Sequence, residues 1–147
     1  IMLYGMYPDS EPVENGPLKP VMTLKARVSQ VRNLPKGATV SYGRTYRAEE
    51  GITSAVIPAG YADGYPRRLS NMGKVFINGK AYSQIGRICM DVCMADVTGG
   101  DVRQGDEAIL FGRGGMSIED VAQIVGTINY ELTCLVTERA NRVYVNN

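Results

Sequence analysis

Histidine and tryptophan are absent from the 147 residues, and phenylalanine (two residues) and cysteine (three) are scarce. Without histidine the chain lacks the side chain that most often serves as a near-neutral acid or base and as a metal ligand. Any proton chemistry must therefore come from tyrosine, lysine, cysteine or a carboxylate. Cys89, Cys93 and Cys134 are too few for a disulfide framework, and no second ligand pair exists for zinc. We expect buried, inert and reduced cysteines, no metal site and a cytoplasmic protein.

The sequence also lacks a charge imbalance and a long apolar run. Sixteen Lys and Arg residues balance fifteen Asp and Glu residues, which argues against nucleic acid as a partner. No apolar run approaches the roughly 18 residues that span a bilayer, so no membrane contact by this domain is expected. At this length we expect a single core. Because the chain opens at Ile1 rather than Met, we expect it to be a piece of a longer protein.

The order of apolar and polar segments predicts one domain behind a short entering segment. Residues 1–7 are apolar, and the polar, proline-containing stretch after them favours a linker, so we expect a boundary between 1–17 and 18–147. From Met22 to Ser29 apolar and polar residues alternate, which is typical of a half-buried strand. Asn78-Gly79 favours the two-residue turn of a β-hairpin.

Most of the remaining pattern predicts strands. Further short apolar runs, all candidate strands, lie at 52–57, 74–77, 80–83, 85–97, 107–111, 132–136 and 142–145. A single segment predicts a helix, which begins after the cap residue Ser117 and stops at Gly126. The predicted fold class is therefore all-β, with many short strands and one short helix in a closed or partly closed β-barrel.

Tyrosine is the unusual abundance, with nine residues in the chain. Five of them stand in loops that contain glycine or asparagine: Tyr42, Tyr46, Tyr61, Tyr65 and Tyr130. A phenol, with a pKa of ~10, is a poor base in water, but a neighbouring cation favours the phenolate. The candidate cations are Arg44, Arg67, Arg68 and Arg87. The alternative is that these tyrosines pack at strand ends with their hydroxyls bonded to the backbone.

Seven short segments, taken together and in order, resemble the C-terminal domain of alanine racemases, a family of pyridoxal-phosphate enzymes. They comprise residues 2–5, 18–22, 40–46, 60–67, 86–91, 128–131 and 142–144. Among them are Ser41-Tyr42-Gly43, Gly60-Tyr61-Ala62-Asp63-Gly64-Tyr65, Cys89-Met90-Asp91 and Asn129-Tyr130-Glu131. The resemblance implies a mostly-β, barrel-like domain that accompanies an N-terminal (β/α)8 barrel.

The resemblance also implies a reaction. L- and D-alanine are interconverted by two-base proton transfer on a substrate joined to pyridoxal 5'-phosphate, which supplies D-alanine for peptidoglycan. Tyr42 matches the base for the L-enantiomer and would act across a homodimer. Tyr130 matches a cofactor-binding tyrosine, and Met90 matches a substrate-binding residue that uses its backbone amide.

Four more residues match positions in the lining of the site or its entrance: Tyr61, Asp91, Arg67 and Arg87. The cofactor would be bound mainly by the N-terminal barrel, whose lysine has no counterpart here, so the isolated chain is expected to be inactive. Two alternatives stay open. One is a serine racemase of the glycopeptide-resistance type, and the other is a non-catalytic β-barrel module whose loops bind a peptide or nucleic acid.

Overall fold

The computed structural model describes residues 1–7 and 17–145, which form nine strands and two α-helices. The strands are β1 (Leu24–Arg27), β2 (Gln30–Leu34), β3 (Thr39–Val40), β4 (Tyr46–Arg47), β5 (Ile52–Ile57), β6 (Lys74–Ile77), β7 (Lys80–Ile85), β8 (Cys93–Asp96) and β9 (Glu107–Phe111). The helices are α1 (Ile118–Val125) and α2 (Asn129–Leu135). Single 3₁₀ turns occupy Met2–Tyr4, Tyr42–Arg44, Tyr61–Asp63 and Arg67–Leu69.

Seven strands form one antiparallel sheet in the order β1-β9-β6-β7-β8-β5-β2, while β3 and β4 pair separately. The two edge strands, β1 and β2, are joined only by Val28 and Ser29. The Val28 N–H donates to the Asp106 carbonyl beside β9 (2.8 Å), and the Ser29 N–H donates to the Val56 carbonyl in β5 (2.9 Å). The sheet therefore curls until its edges meet at this corner, and the expected mostly-β, barrel-like fold is confirmed.

The local sequence signals are confirmed where they rest on backbone chemistry. Asn78 and Gly79 both have positive φ (52° and 74°) and join β6 to β7, as a two-residue hairpin turn requires. The Ser117 hydroxyl accepts from the Asp120 N–H (3.0 Å), and α1 ends at Gly126 with φ 72°. In β1, Leu24 is buried while Lys25 and Arg27 are exposed, so the predicted alternation is also confirmed.

Four parts of the strand prediction are wrong. The apolar run 132–136 lies mostly in the second helix, α2, whose buried Leu132 faces the core. Residues 142–145 form no strand, and the run 85–97 is interrupted by a turn before β8. Strands β2, β3 and β4 were not predicted, because their exposed or short sequences carry no strong alternation.

The cysteines do not share one environment. Cys93 is buried on β8, and this burial raises the pKa of its thiol, in line with the expected inert side chain. Cys89 lies half-buried in the turn before β8, so the two residues are not on one strand face. Cys134 is exposed on α2, which corrects the expectation that all three are buried.

The core fills the inside of the curl and is closed by α1. Its largest fully buried side chains include Tyr65, Phe111, Ile57 and Leu110, and Val121 of α1 belongs to the same cluster. Close packing of this kind gives the loops at the end of the sheet a rigid base.

Residues 1–7 pack against this domain, since Met6 is only 1% exposed and the Asn129 side-chain amide donates to the Tyr7 carbonyl (3.2 Å). The predicted linker lies largely at 8–16, outside the described residues. Within the two described ranges, no helix is long and apolar enough to cross a membrane.

Candidate active site

Tyr42 stands on a tight turn with unusual backbone geometry. Ser41, Gly43 and Arg44 all have positive φ, at 66°, 70° and 50°. Two of these residues carry a Cβ, which makes the left-handed region costly for them. Between them the Tyr42 side chain is 73% exposed, so the turn presents a phenol to its surroundings rather than packing it.

The turn is fastened to the segment that follows β7. The Ser41 hydroxyl donates to the Arg87 carbonyl (2.6 Å), and its oxygen lies 3.3 Å from the Cys89 sulfur. The Arg87 guanidinium covers Gly43, where a Cβ would lie 3.4 Å from the Arg87 Cζ. Of the arginines considered as cations near a tyrosine, Arg87 is therefore placed against the Tyr42 turn.

A second fastening comes from Asn71. Its side-chain amide donates to the Thr45 hydroxyl (3.2 Å), and its Oδ1 accepts from the Gly86 N–H (2.6 Å). The Asn71 N–H in turn donates to Oε1 of Gln84, a buried residue whose amide nitrogen donates to the Ile85 and Gly86 carbonyls. Both ends of the Tyr42 turn are thus held to the chain between residues 84 and 89.

The Tyr61 turn is hydrogen-bonded through its backbone to the segment that follows β7. The Tyr61 N–H donates to the Cys89 carbonyl and the Ala62 N–H to the Met90 carbonyl, both at 3.1 Å. Gly60 makes this approach possible, since a Cβ there would lie 2.3 Å from both carbonyl oxygens. Met90 is 51% exposed beside this contact, and Tyr61 is also exposed.

Arg139 links the two acidic residues of these segments. Its Nη2 donates to Asp91 (2.5 Å), and its Nε lies 3.3 Å from Asp63. The hydrogen bond with Asp91, together with the Asp63 carboxylate, raises the pKa of Arg139 above its usual value. Asp63 also accepts from the Gly60 N–H (2.9 Å), so the Tyr61 turn, the Met90–Asp91 segment and the chain after α2 are joined by one ionic cluster.

Tyr130 is the second residue of α2. Asn129, which is buried beside it, donates to the Glu119 carboxylate of α1 (3.2 Å) and fixes the start of the helix. After the helix, the Thr137 hydroxyl donates to the Ala62 carbonyl (2.7 Å). The helix is therefore anchored at both ends, and Tyr130 remains 43% exposed.

Arg67 lies on the last of the 3₁₀ turns and is exposed. Ser70 connects this turn to the common segment: its hydroxyl donates to the Arg67 carbonyl and accepts from the Ile88 N–H (3.0 Å). All the predicted site residues thus lie on elements that contact the chain between residues 84 and 91 directly or, for Tyr130, through the Ala62 contact.

Sequence patterns do not single out Ser41, Asn71, Gln84 or Arg139. Ser41 is adjacent to Tyr42, and the abnormal φ of a non-glycine residue leaves no mark in composition or spacing. The partners of Asn71 and Arg139 are 13 to 76 residues away in the chain.

In sequence and fold, the chain is similar to known racemases. Residues 21–144 match the family model described as alanine racemase, C-terminal domain. An alanine racemase of Carboxydothermus hydrogenoformans is 51% identical over 99% of this chain and 41% of its own length, and one of Clostridium novyi is 45% identical over 100% and 40%. The chain thus spans about two fifths of the relatives it matches.

Solved structures agree. An alanine racemase of Clostridium difficile in complex with cycloserine has a TM-score of 0.90 at 40% identity, covering 99% of this chain and 39% of its own. One from Bartonella henselae with covalently bound pyridoxal phosphate has a TM-score of 0.90 at 35% identity, covering 98% and 40%. The match of the family model over most of the chain shows that it belongs to the alanine racemase C-terminal domain family.

Proposed function

We propose that this chain is the tyrosine-bearing part of an amino-acid racemase that interconverts L- and D-alanine. The observation that carries the proposal is the Tyr42 turn: an exposed phenol on a backbone that is fastened at both ends and lies against Arg87 and Cys89. An exposed side chain on a rigid support is typical of a group that acts on a bound molecule. The named activity of the relatives supplies the reaction.

Pyridoxal 5'-phosphate, when bound, acts as the electron sink for the carbanion left by loss of the α proton. This chain fits a minor share of such a site. The exposed Tyr130 phenol can donate to a phosphate oxygen. None of the five lysines (Lys19, Lys25, Lys36, Lys74 and Lys80) lies in the segments 40–46, 60–67 or 128–131 that carry Tyr42, Tyr61 and Tyr130. We therefore assign the cofactor-bearing lysine, and most cofactor contacts, to a preceding barrel domain.

Tyr42 is the proposed base for L-alanine. Racemisation needs a proton removed from one face of the α carbon and returned to the other, so two groups on opposite faces suit it. The Tyr42 oxygen takes the α proton of the L-enantiomer, and in the opposite direction it delivers a proton to that face. The second base comes from outside this chain.

The surrounding residues bind and guide the substrate. The backbone amide of Met90 is proposed to bind the substrate carboxylate, at a segment that the contacts of Tyr61 and Ala62 hold in place. Arg67 and Arg87 attract a carboxylate at the entrance, because cations lining a cleft raise the local concentration of anions. Tyr61 and Asp91 line the site or its entrance, and Tyr130 narrows the entry.

The complete site requires a second domain. A phenol that is 73% exposed has few contacts in its own chain, which supports the proposal that Tyr42 acts on cofactor held by the partner of a homodimer. Residues 1–17 would then lead from the barrel into the domain at 18–147. In this scheme the enzyme is cytoplasmic and supplies D-alanine for peptidoglycan.

The test uses the full-length enzyme that carries this chain, loaded with pyridoxal phosphate. Racemisation of L- and D-alanine is measured for the wild type, Tyr42→Phe and Tyr46→Phe, with L-serine as a rival substrate. Tyr46 is the matched control, since it loses the same hydroxyl from β4 at the other end of the turn. We expect Tyr42→Phe to lose racemisation in both directions and Tyr46→Phe to retain it.

Exchange of the α proton with D2O assigns the face. If Tyr42 serves the L-enantiomer, Tyr42→Phe stops exchange from L-alanine but leaves exchange from D-alanine, which uses the opposite base. Equal loss from both enantiomers would remove Tyr42 as a face-specific base. Faster turnover of serine than of alanine would replace the substrate assignment, and a folded, loaded enzyme that converts neither would favour a binding module.

A further inference from the structure

Ser41 occupies a backbone conformation that belongs almost exclusively to glycine. Its φ of 66° and ψ of −176° lie in a region where the Cβ of any other residue is strained. Gly43, two residues later, also has a positive φ, which glycine adopts without strain. A serine at this position is therefore unfavourable for the backbone, unless its side chain has a use that glycine cannot supply.

The Ser41 side chain has such a use. Its hydroxyl proton goes to the Arg87 carbonyl at 2.6 Å, which leaves the oxygen free to accept from the Cys89 thiol at 3.3 Å. Arg87 and Cys89 lie in the chain just before Met90 and Asp91. One hydroxyl thus joins the residue before Tyr42 to the backbone that carries the proposed substrate-binding amide.

We propose that Ser41 is a positioning residue for Tyr42, retained at a cost in stability because its hydroxyl sets the distance between the phenol and the Met90 segment. The inference rests on the proposed function and deepens it. A proton transfer is sensitive to that distance, and a displacement of about 1 Å can lower a rate by ~100-fold.

The proposal predicts that stability and activity move in opposite directions. Ser41→Gly removes the backbone strain together with the hydroxyl, so its thermal midpoint should equal or exceed that of the wild type. Its kcat should nevertheless fall by about 10- to 100-fold, while KM for alanine stays within about threefold. Ser41→Ala keeps the strained Cβ and loses the hydroxyl, and both its midpoint and its kcat should fall.

Ser29→Ala is the matched control. Its hydroxyl also donates to a backbone carbonyl, that of Val56 at 3.1 Å, but it lies at the corner between β1 and β2 and has no positive φ. The full-length, cofactor-loaded enzymes are compared by thermal melting, by amide hydrogen exchange over residues 42–44 and by α-proton exchange in D2O. Ser41→Gly should speed amide exchange in the turn and slow exchange from L-alanine much more than exchange from D-alanine. Ser29→Ala should match the wild type in kcat and in both exchange rates.

Two results separate the failure of this inference from that of the proposed function. If Ser41→Gly keeps wild-type kcat, or slows exchange from both enantiomers equally, while Tyr42→Phe shows its L-specific loss, Ser41 does not position the phenol. If Tyr42→Phe itself racemises normally, the proposed function falls, and the positioning role falls with it.

Discussion

Gly60→Ala should destabilise the domain strongly, although glycine is not required there by its backbone angles. Gly60 has φ −143° and ψ −162°, an extended conformation that alanine adopts freely. The obstacle is space: an added Cβ would lie 2.3 Å from the carbonyl oxygens of Cys89 and Met90. Both contacts are with backbone, so neither can be relieved by a side-chain rotation.

The size of the loss follows from what must separate. Moving the turn by about 1 Å breaks the bonds from Tyr61 and Ala62 to those carbonyls, at about 1 kcal/mol each. The bond from the Gly60 N–H to the Asp63 carboxylate weakens too, at roughly 1 kcal/mol. Alanine also has less conformational entropy than glycine in the unfolded chain, which offsets ~0.5 kcal/mol of this loss. The expected loss in the free energy of unfolding is therefore about 2–3 kcal/mol, or a melting temperature lower by roughly 4–12 °C.

Urea denaturation followed by circular dichroism measures this loss, with Gly51→Ala as the matched control. The nearest atom to a Cβ at Gly51 is the Leu34 carbonyl oxygen at 3.8 Å, an ordinary contact, and its φ is not positive. We expect Gly51→Ala to change the free energy of unfolding by less than about 1 kcal/mol, with the sign favouring stability. A Gly60→Ala protein within about 0.5 kcal/mol of the wild type would refute the close approach as the reason for this glycine.

Two further predictions concern buried and titrating groups. Tyr65→Phe should leave the free energy of unfolding unchanged or raise it by up to about 1 kcal/mol in urea denaturation. The reason is that the Tyr65 hydroxyl is buried without a partner among the described residues. A loss of more than about 1 kcal/mol would show that the hydroxyl has a partner. Hydrogen bonds from the Arg103 N–H and the Asn78 side chain hold the pKa of Asp106 below its usual value. The ionised carboxylate therefore stabilises the fold at pH values above the unfolded pKa of ~3.9, and this stabilisation is lost as the pH falls through the pKa of the folded state. Asp106→Asn should therefore flatten the fall in melting temperature below about pH 4, and an unchanged acid slope would contradict this origin.

The elements that sequence could predict are those whose cause is local. The hairpin at Asn78-Gly79 depends on two residues that tolerate positive φ, and α1 depends on the cap at Ser117 and the stop at Gly126. Each signal lies within the element that it specifies. The same is true of β1, whose alternation is visible over eight consecutive residues.

Helix α2 was missed because its support is distant. Its first residue, Asn129, bonds to Tyr7 and Glu119, which are 122 and 10 residues away, and the chain after it bonds to Ala62, 75 residues away. Its apolar residues, including Leu132 and Leu135, fit a strand as well as a short helix. Tertiary contacts therefore decide its conformation, as they commonly do for short helices.

The candidate site divides in the same way. Motif resemblance suggests Tyr42, Met90 and Tyr130 as site residues, since their neighbours in sequence carry the family pattern. It could not show that Ser41 bonds to Arg87 or that Arg139 joins Asp91, because these contacts span 46 and 48 residues. The proposed chemistry is thus visible in sequence, whereas the means of holding it in place are visible in the structure.

The bonds that hold the Tyr42 turn share one physical origin, which is the end of β7. Beyond Ile85 the chain leaves the ladder, and the peptide groups at 85–88 need partners that a neighbouring strand no longer supplies. Side chains provide them: Gln84 and Asn71 bond to the backbone of Ile85 and Gly86, Ser41 to that of Arg87 and Ser70 to that of Ile88. Because those side chains lie on or beside the site turns, the bonds that satisfy the irregular backbone also hold the Tyr42 turn against it. The Tyr42 turn is held where the sheet stops, since the peptide groups that lose their strand partners there become the hydrogen-bond partners of the turn.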